Sequence, residues 1–501
     1  MRLLQNYLSR LHGAEPNTAA AAVYANLDHL AATAPDVAAD IVQEFRDQRS
    51  SLKLIASENY SSLAVQLAQG NWLTDKYAEG YAGHRFYAGC ENIDRIEARA
   101  SSLACKLFNA EHAYVQPHSG ADANLIAFCA LLGYGAERPV LQEFGEKDPG
   151  KLNETAFAKL RAAFWGQRLL GLDYYSGGHL THGYRHNLSS RLFECHSYGV
   201  DRETRLIDLD ALRKQLHEVK PLVLLAGYSA YPRKINFAKM RELADEVGAL
   251  FMVDMAHCAG LVAGKVFAGD YDPVPHAHLV TSTTHKTLRG PRGGLILCKK
   301  ELAEFVDKGC PLVIGGPLPH VMAAKSIAFA EASQPAFADY AERIVQNARA
   351  LADECVKQGL PVSTGGTDNH IVLIDVATRY GLTGRHAESA LRECGITLNR
   401  NSLPFDTNGP WYTSGLRLGT AALTTLGMGE NELREVARII RSVLDRVTPT
   451  VQPDGQPSKA KFNLDRGVVA DARGRVADLL GRHVLYPELD LGLINEEAPL
   501  R

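Results

Sequence analysis

The middle of the chain alternates between short apolar runs and amphipathic stretches. Between residues 207 and 297 the apolar runs are nearly continuous, as in PLVLLAGYS, LFMVDMAHC and HLVTSTTHK, and the stretches between them carry apolar residues at helical spacing. Apolar strands that alternate with amphipathic helices are typical of a mainly parallel sheet covered by helices on both faces. In such sheets, ligands bind beyond the carboxyl ends of the strands. The pattern therefore predicts an α/β fold with a site at those ends.

Polar residues end three consecutive apolar runs in this part of the chain. Tyr228–Ser229 follow the first run, Asp254 ends the second with His257 close behind, and His285–Lys286 follow the third. Burial lowers the pKa of a lysine, and Schiff-base formation with a carbonyl requires such a lysine. An acid and a lysine at neighbouring strand ends suit pyridoxal phosphate, because they can pair its ring nitrogen and hold its aldehyde. The three groups predict one pocket; the alternative for the lysine is an ordinary solvated side chain.

A turn of small residues between a strand and a helix is a second candidate site. The strand-like AYVQP leads into His118, Ser119 and Gly120, and residues 123–132 then read as an apolar helix. The N-terminus of a helix offers free backbone N–H groups and the positive end of the helix dipole, which suit a phosphate group. A simple helix cap is the alternative.

Three further segments carry candidate ligand groups. His179 follows two glycines in SGGHLTHG, where a ring can approach a ligand closely. A metal site formed with His182 is the rival interpretation, but no acidic or thiol ligand lies at suitable spacing. Arg417, in the strand-like SGLRLG, suits either capture of a substrate carboxylate or a structural ion pair. Residues 76–92 are rich in glycine and aromatic residues and predict a long loop that lines a site or a subunit interface, with surface decoration as the alternative.

The length of 501 residues predicts two or three domains. A helical region from Met322 to about Gln358 is expected to connect a large domain to a smaller C-terminal domain. The predicted units are an N-terminal helical arm (1–50), a large cofactor domain (51–335) with an insertion at about 133–171, a small C-terminal domain (336–449) and a C-terminal extension (450–501).

Composition narrows the class of protein. The formal net charge of −3 provides no general basic field for nucleic acid or an anionic membrane. No apolar run approaches the eighteen residues of a spanning helix, and the N-terminus has too short an apolar core for a secretory signal. Nine cysteines without a CxxC pair indicate reduced thiols rather than a disulfide or zinc framework. We therefore expect a cytoplasmic protein with no metal, nucleic-acid or membrane partner.

Taken together, these motifs closely resemble serine hydroxymethyltransferase, a fold-type I pyridoxal phosphate enzyme. The resemblance implies a large domain with a mainly parallel sheet and a smaller α/β C-terminal domain. It also implies interconversion of serine and glycine, with transfer of the hydroxymethyl carbon to tetrahydrofolate, through a Lys286 Schiff base and a glycine quinonoid. The matching segments, in chain order, are LIASENY (54–60), KYAEGY with RFYAGCE (76–91), PHSGADAN (117–124), SGGHLTHG (176–183), FMVDMAHCAGL (251–261), VTSTTHKTLRGPRGG (280–294), GGPLPH (315–320), NRNSLP (399–404) and TSGLRLGT (413–420).

The resemblance also implies roles for individual residues and a homodimer with shared active sites, while a tetramer stays open. Glu79, with Tyr77 and Tyr87, would serve the site of the partner chain, and Gly316 would reach the neighbouring phosphate. The implied catalytic residues are Lys286, Glu79, Tyr87, Thr283 and His285; the implied cofactor contacts are Ser119, Gly120, His179, Ser229, Asp254, His257, Lys286, Gly316 and Tyr77; the implied substrate contacts are Ser57, Glu79, Arg417, Gly178, Leu180 and Asn401.

Three departures from the family pattern concern the folate side. Tyr174 replaces a residue that is usually aliphatic, Phe86 replaces a tyrosine, and the 133–171 stretch is longer than in common bacterial members. The nearest rival is therefore a folate-independent threonine or β-hydroxy amino acid aldolase on the same fold, against which Glu79 and Asn401 argue. A non-catalytic scaffold, perhaps attached to RNA, is the rival from another class; a lost Lys286 or a basic tract would have favoured it, and the sequence has neither.

Overall fold

A mainly parallel sheet forms the centre of the computed structural model, in which residues 1–497 are described. The strands, in chain order, are β1 (Leu52–Lys53), β2 (Gly80–Tyr81), β3 (His84–Arg85), β4 (His112–Tyr114), β5 (Arg168–Leu172), β6 (Glu194–Tyr198), β7 (Val223–Gly227), β8 (Leu250–Asp254), β9 (Leu279–Thr283), β10 (Gly294–Cys298), β11 (Ile371–Asp375), β12 (Ile396–Thr397), β13 (Asn399–Asn401), β14 (Gly415–Gly419), β15 (Thr448–Val451) and β16 (Pro457–Asn463). Seven of them form the central sheet in the order β4-β10-β9-β8-β7-β5-β6, in which β10 alone runs antiparallel to its neighbours. The predicted α/β class is confirmed.

Helices fill most of the connections between these strands. They are α1 (Leu3–Arg10), α2 (Thr18–Thr33), α3 (Pro35–Ser50), α4 (Leu63–Leu67), α5 (Glu91–Phe108), α6 (Gly120–Leu132), α7 (Arg138–Glu143), α8 (Glu154–Phe164), α9 (Ser189–Leu192), α10 (Leu209–Val219), α11 (Phe237–Glu246), α12 (Ala259–Ala263), α13 (Pro273–His276), α14 (Ala303–Asp307), α15 (Gly309–Leu312), α16 (Pro319–Ala332), α17 (Pro335–Lys357), α18 (Val376–Tyr380), α19 (Gly384–Glu393), α20 (Gly409–Tyr412), α21 (Ala421–Thr425), α22 (Glu430–Leu444), α23 (Arg466–Arg482) and α24 (Leu491–Glu497). None of the described helices is both long enough and apolar enough to cross a bilayer.

Both faces of the central sheet are buried, which explains the continuous apolar runs. Along β8, Phe251 and Val253 belong to one hydrophobic cluster, whereas Leu250 and Met252 belong to another. Successive side chains of a strand point to opposite faces, so the two clusters lie on opposite sides of the sheet. Burying each such side chain contributes about 1.5–3 kcal/mol.

A second core lies around the antiparallel sheet β11-β14-β13. Helices α17, α19, α22 and α23 contribute to it, and so do Leu52 and Leu54, because β1 pairs in parallel with β12. The segment after residue 449 therefore packs against this core through α23. The hairpin β15–β16, which the sequence pattern did not predict, leads into α23. The predicted unit boundaries stay a prediction.

Several element predictions need correction. The helical region Met322–Gln358 is two helices, α16 and α17, with Pro335 as the first residue of α17, a position that suits proline. The predicted loop 76–92 contains the short hairpin β2–β3. The inserted stretch 133–171 begins with a π-helical turn, Gly133–Glu137, before α7 and the predicted helix α8.

Helices from both ends of the chain pack together. Leu3, Tyr24 and Val42 share a hydrophobic cluster with Leu493 and Ile494. An ion pair of 3.3 Å between Arg10 and Asp490 lies beside this cluster. The N-terminal arm is therefore anchored by the C-terminal helix.

Candidate active site

The polar residues that end the apolar runs meet at one edge of the central sheet. Strands β7, β8 and β9 are parallel neighbours, so their carboxyl ends lie side by side. Asp254 is the last residue of β8 and is paired with Gly227 on one side and Thr281 on the other. Lys286 follows β9 by three residues. The predicted groups therefore follow neighbouring strand ends at one edge of the sheet, and their use as one pocket stays a prediction.

Lys286 is a buried cation without a neutralising contact. Its side chain is 8% exposed, and within residues 1–497 its Nζ has no hydrogen-bond or ion-pair partner. Burial lowers the pKa of Lys286 to about 8; Asp254 opposes this shift, and Arg417 adds to it. Near neutral pH a useful fraction of the side chain is therefore the free amine, which is the nucleophilic form.

Asp254 is held as a carboxylate by a shell that the sequence analysis missed. Its Oδ2 accepts hydrogen bonds from Asn124 Nδ2 at 2.9 Å and from His182 Nε2 at 3.2 Å, and its Oδ1 accepts from the Ala256 amide at 3.0 Å. Burial alone would raise the pKa of Asp254, but these contacts hold that pKa below its ordinary value. The i, i+4 spacing of Asn124 from Gly120 on α6 was the available signal for its inward direction.

His179 is neutral and fixed by its neighbour Thr181. The Thr181 amide donates to Nδ1 at 3.3 Å, and the Thr181 hydroxyl lies 2.8 Å from the same nitrogen. Burial lowers the pKa of His179 to about 4. The ring can therefore present an uncharged aromatic face to a ligand.

The argument that no acidic ligand accompanies His179 and His182 was wrong. The fold brings Asp254 to them, and the ligand atoms of the three residues lie within 4.8 Å of one another. A strand more than seventy residues further along the chain supplies this acid, which spacing along the chain cannot reveal. Two of these groups already bond to each other, because His182 donates to Asp254.

Ser119 and Gly120 begin helix α6 close to Thr283. Ser119 is the N-cap, and its Oγ accepts from the Asp122 amide at 3.1 Å. A Cβ on Gly120 would lie 2.6 Å from Thr283 Cγ2, so only glycine fits this approach. The helix-cap interpretation is thus correct, and it leaves the positive end of α6 directed at the same strand ends.

Arg417 lies on β14 and reaches across to the large sheet. Its Nη1 donates to Ser229 O at 2.7 Å and to Ser229 Oγ at 3.1 Å, and its Nε donates to Asn399 Oδ1 at 3.1 Å. It forms no ion pair in the described part of the chain, so the structural ion-pair interpretation was wrong. Burial lowers the pKa of Arg417 to about 10, which leaves it charged at neutral pH. Its second terminal nitrogen, Nη2, accordingly stays available for a ligand oxygen.

Two buried histidines lie behind this arrangement. His257 Nδ1 lies 3.2 Å from His370 Nε2, and the two rings are stacked at an interplanar angle of 20°. Burial lowers the pKa of both rings, that of His370 to about 3. His370 was missed because it comes from β11's N-terminal side, in the second core. His285 is likewise neutral, since burial, with Lys286 next, lowers its pKa to about 3.

A cavity of about 270 Å³ opens in front of Arg417. Ser57 follows Ala56, whose Cα lies 2.4 Å from where a Cβ on Gly419 would be, so Ser57 is near the same strand. Burial raises the pKa of Tyr174, whose ring contacts Tyr184. The cavity is lined by Tyr174, Gly178, His179, Leu180, Ser229, Ala230, Asn399, Arg400, Asn401, Ser402, Pro410, Thr413 and Arg417.

The remaining predicted site residues form a separate cluster. Tyr77 donates to Glu79 at 3.2 Å and packs edge-on against Tyr87 at 5.1 Å, and a Cβ on Gly316 would lie 3.8 Å from the Tyr77 ring. Tyr77 and Tyr87 are 58% and 48% exposed. Among the described residues, none of this cluster lines the cavity in front of Arg417. Phe86, next to it, is 78% exposed.

The donor set fits pyridoxal phosphate. A helix N-terminus suits the phosphate, an ionised carboxylate suits the pyridine nitrogen, and an unpartnered buried amine suits the aldehyde. The close approach of Gly120 to Thr283 leaves no room for a side chain and brings the N-terminus of α6 next to the end of β9. These groups come from α6, β8 and the turn after β9.

This fold and site define a pyridoxal phosphate-dependent enzyme of fold type I. The family model described as serine hydroxymethyltransferase matches residues 30–141 and 150–440. The chain is similar to serine hydroxymethyltransferases of Treponema pallidum (59% identity; 97% of this chain and 85% of the relative), Salinispora tropica (57%; 95% and 99%) and Chlamydia trachomatis serovar D (51%; 98% and 99%). The chain therefore belongs to the serine hydroxymethyltransferase family.

Proposed function

We propose that the protein interconverts serine and glycine and transfers the hydroxymethyl carbon to tetrahydrofolate. The observation that carries the proposal is the meeting of Lys286, Asp254 and Arg417 at one sheet edge in a member of this family. Bound pyridoxal phosphate would supply an electron sink for the negative charge that develops on the α-carbon of the amino acid.

Lys286 is proposed to hold the cofactor aldehyde and later to be displaced by the amino acid. Its lowered pKa favours this role because the free amine forms without a strong base. Asp254 would keep the pyridine nitrogen protonated, since its own pKa is held below the ordinary value. Two buried hydrogen-bond donors, Asn124 and His182, would hold that carboxylate in place.

Arg417 is proposed to bind the carboxylate of serine or glycine. Ser229 and Asn399 occupy its Nη1 and Nε and so fix the guanidinium plane. Nη2 would then remain for the substrate carboxylate, and Arg417 itself lines the cavity. Orientation by two prior hydrogen bonds reduces the entropy cost of binding.

The cavity in front of Arg417 is proposed to receive the folate. It is lined by Tyr174, Leu180 and Asn401 together with Arg417 of β14. Ser119 and Gly120 would bind the cofactor phosphate, His179 would stack on its ring, and the remaining assignments of the sequence analysis stay proposals.

We propose that the Tyr77–Glu79–Tyr87–Gly316 cluster serves the active site of a second copy in a homodimer. The cluster does not line the cavity in front of Arg417, and its two tyrosines are exposed, although Glu79 is a proton-transfer candidate. Glu79 would handle the proton of the serine hydroxyl, and a dimer could assemble further into a tetramer. The nine cysteines are all unpaired, which fits a reducing compartment, and we place the enzyme in the cytoplasm.

The absorption spectrum of cofactor-loaded protein tests the activity. With glycine alone a weak long-wavelength band is expected, and tetrahydrofolate should increase it sharply. A carbonyl-adduct band that ignores tetrahydrofolate, together with folate-independent cleavage of serine, would contradict the transfer reaction. Absence of any adduct band would contradict the cofactor assignment.

Mixing two inactive variants tests the shared site. Lys286→Ala removes the amine and Glu79→Gln removes the proton acceptor, so each homodimer should be nearly inactive. In mixed dimers one of the two sites would contain both wild-type residues, and activity should return toward one quarter of the wild-type value in a statistical mixture. Two Glu79→Gln preparations mixed together serve as the control, and no recovery in the mixed sample would place Glu79 in its own chain's site.

A further inference from the structure

A second, larger cavity lies behind the catalytic edge of the sheet. It encloses about 780 Å³ between α6, the inserted stretch 133–171 and the segment that carries α14 and α15. This volume is within the range of small-molecule sites, which are mostly apolar with a few polar groups. Ile126, Leu132 and Phe164 provide apolar walls.

Cations without partners surround this apolar interior. Lys147, Arg161 and Arg191 line the cavity, and none of them pairs with a carboxylate anywhere in residues 1–497. Two acids, Glu137 and Asp148, also line the cavity, but with Lys308 the lining cations outnumber them by four to two. The local balance therefore favours an anion.

The wall of the cavity is built with unusual backbone geometry. The end of α6 continues as the π-helical turn Gly133–Glu137, a feature frequent at functional sites. A Cβ on Gly133 would lie 2.9 Å from the Phe305 ring, and one on Gly309 would lie 2.8 Å from Ile126. Glycines at both positions thus let the floor pack tightly while the space above it stays open.

We propose that this cavity binds a small amphipathic anion, with an apolar body among the aliphatic and aromatic walls and a carboxylate or similar group beside Lys147, Arg161 and Arg191. The site is distinct from the cavity in front of Arg417, since the two share no lining residue. The proposal does not depend on the reaction proposed above.

Cys129 provides a direct reporter of this cavity. It lines the cavity and is the one exposed residue among the nine cysteines of the chain. The cofactor-loaded enzyme would be treated with N-ethylmaleimide at pH 8, and modification of each cysteine followed by peptide mass spectrometry. Decanoate is the probe, and decyltrimethylammonium is its cationic counterpart; both are used below their micelle-forming concentrations.

Decanoate should slow the modification of Cys129 at least tenfold in a saturable manner, and decyltrimethylammonium should not. The double variant Arg161→Gln/Arg191→Gln should weaken this protection at least fivefold, whereas Arg349→Gln, an exposed arginine on α17 that does not line the cavity, should leave it unchanged. Equal protection by both probes, or none by decanoate, would overturn the proposal. So would a Cys129 that reacts only after subunit dissociation, because a second copy of the chain would then fill the cavity beside the exposed Leu312.

Discussion

Lys325, which lies outside the proposed chemistry, should contribute strongly to stability and should also affect cofactor retention. It is 1% exposed on α16, and its Nζ donates to the carbonyls of Val115 at 2.6 Å, Pro117 at 2.9 Å and Gly294 at 2.8 Å. All three ammonium donors are therefore used. Pro117 precedes the turn into α6, so this one side chain ties the turn for which we propose phosphate binding to β10.

The size of the effect follows from these three bonds. Lys325→Met keeps an unbranched side chain of similar length and removes every donor. Charge-assisted hydrogen bonds contribute about 1.5–3 kcal/mol each to the free energy of unfolding. Because methionine carries no charge, the variant also avoids the several kcal/mol that burial of an ammonium group costs. Removing one member of a buried charged contact costs about 3–5 kcal/mol after this offset, and we expect that loss here. Release of the Pro117 carbonyl should also weaken cofactor affinity at least tenfold, or about 1.4 kcal/mol.

Urea unfolding and cofactor titration measure the two effects separately. Lys299→Met is the matched control, because Lys299 forms a solvent-accessible ion pair of 3.3 Å with Glu111 and should lose no more than about 1 kcal/mol. A Lys325→Met protein as stable as this control would refute the stability argument. A destabilised variant that binds pyridoxal phosphate with wild-type affinity would refute the link to the phosphate turn.

Three further predictions concern the proposed chemistry. Because burial lowers the pKa of Lys286 to about 8, capture of pyridoxal phosphate by the apoenzyme should accelerate about tenfold per pH unit below pH 8 and level off above it; acceleration up to pH 10 would contradict an activated amine. Asp254→Asn should lower kcat about 10²–10³-fold in a serine cleavage assay, with the exposed Asp210→Asn as an unaffected control, and a fully active variant would refute the pairing. Arg417→Lys should raise KM for serine about 10–100-fold with a smaller change in kcat, whereas Arg349→Lys should match the wild type; an unchanged KM would place the carboxylate elsewhere.

The strand-end residues could be predicted because a parallel sheet converts sequence order into proximity. Once three consecutive apolar runs are strands of one parallel sheet, Ser229, Asp254 and Lys286 must share an edge whatever the details of packing. Neither the distances between these side chains nor the conformations of the loops are needed for this prediction. For that reason the fold class and the centre of the site followed from pattern alone.

The residues that hold those groups in place depend on contacts between distant segments. Asn124 on α6 reaches Asp254, and His370 from the second core stacks on His257. Helical spacing can indicate the direction of Asn124, but it identifies neither partner, because the partners are more than a hundred residues apart. The hairpin β15–β16 was not predicted because its strands are mostly polar and few of their residues are buried, so they give no clear apolar alternation.

The charge of the site at neutral pH follows from burial of its histidines. Desolvation is the largest cause of a lowered pKa in each ring, so the imidazoles are neutral: they are His179, His257, His285 and His370. Lys286 and Arg417 then face a single carboxylate, Asp254, which leaves the site with excess positive charge. A phosphate group and an amino acid carboxylate are the anions that complement this excess. Protonated histidines would instead compete with Lys286 for Asp254. Burial of the strand ends is therefore a condition for leaving Lys286 and Arg417 to bind anionic groups of the ligands.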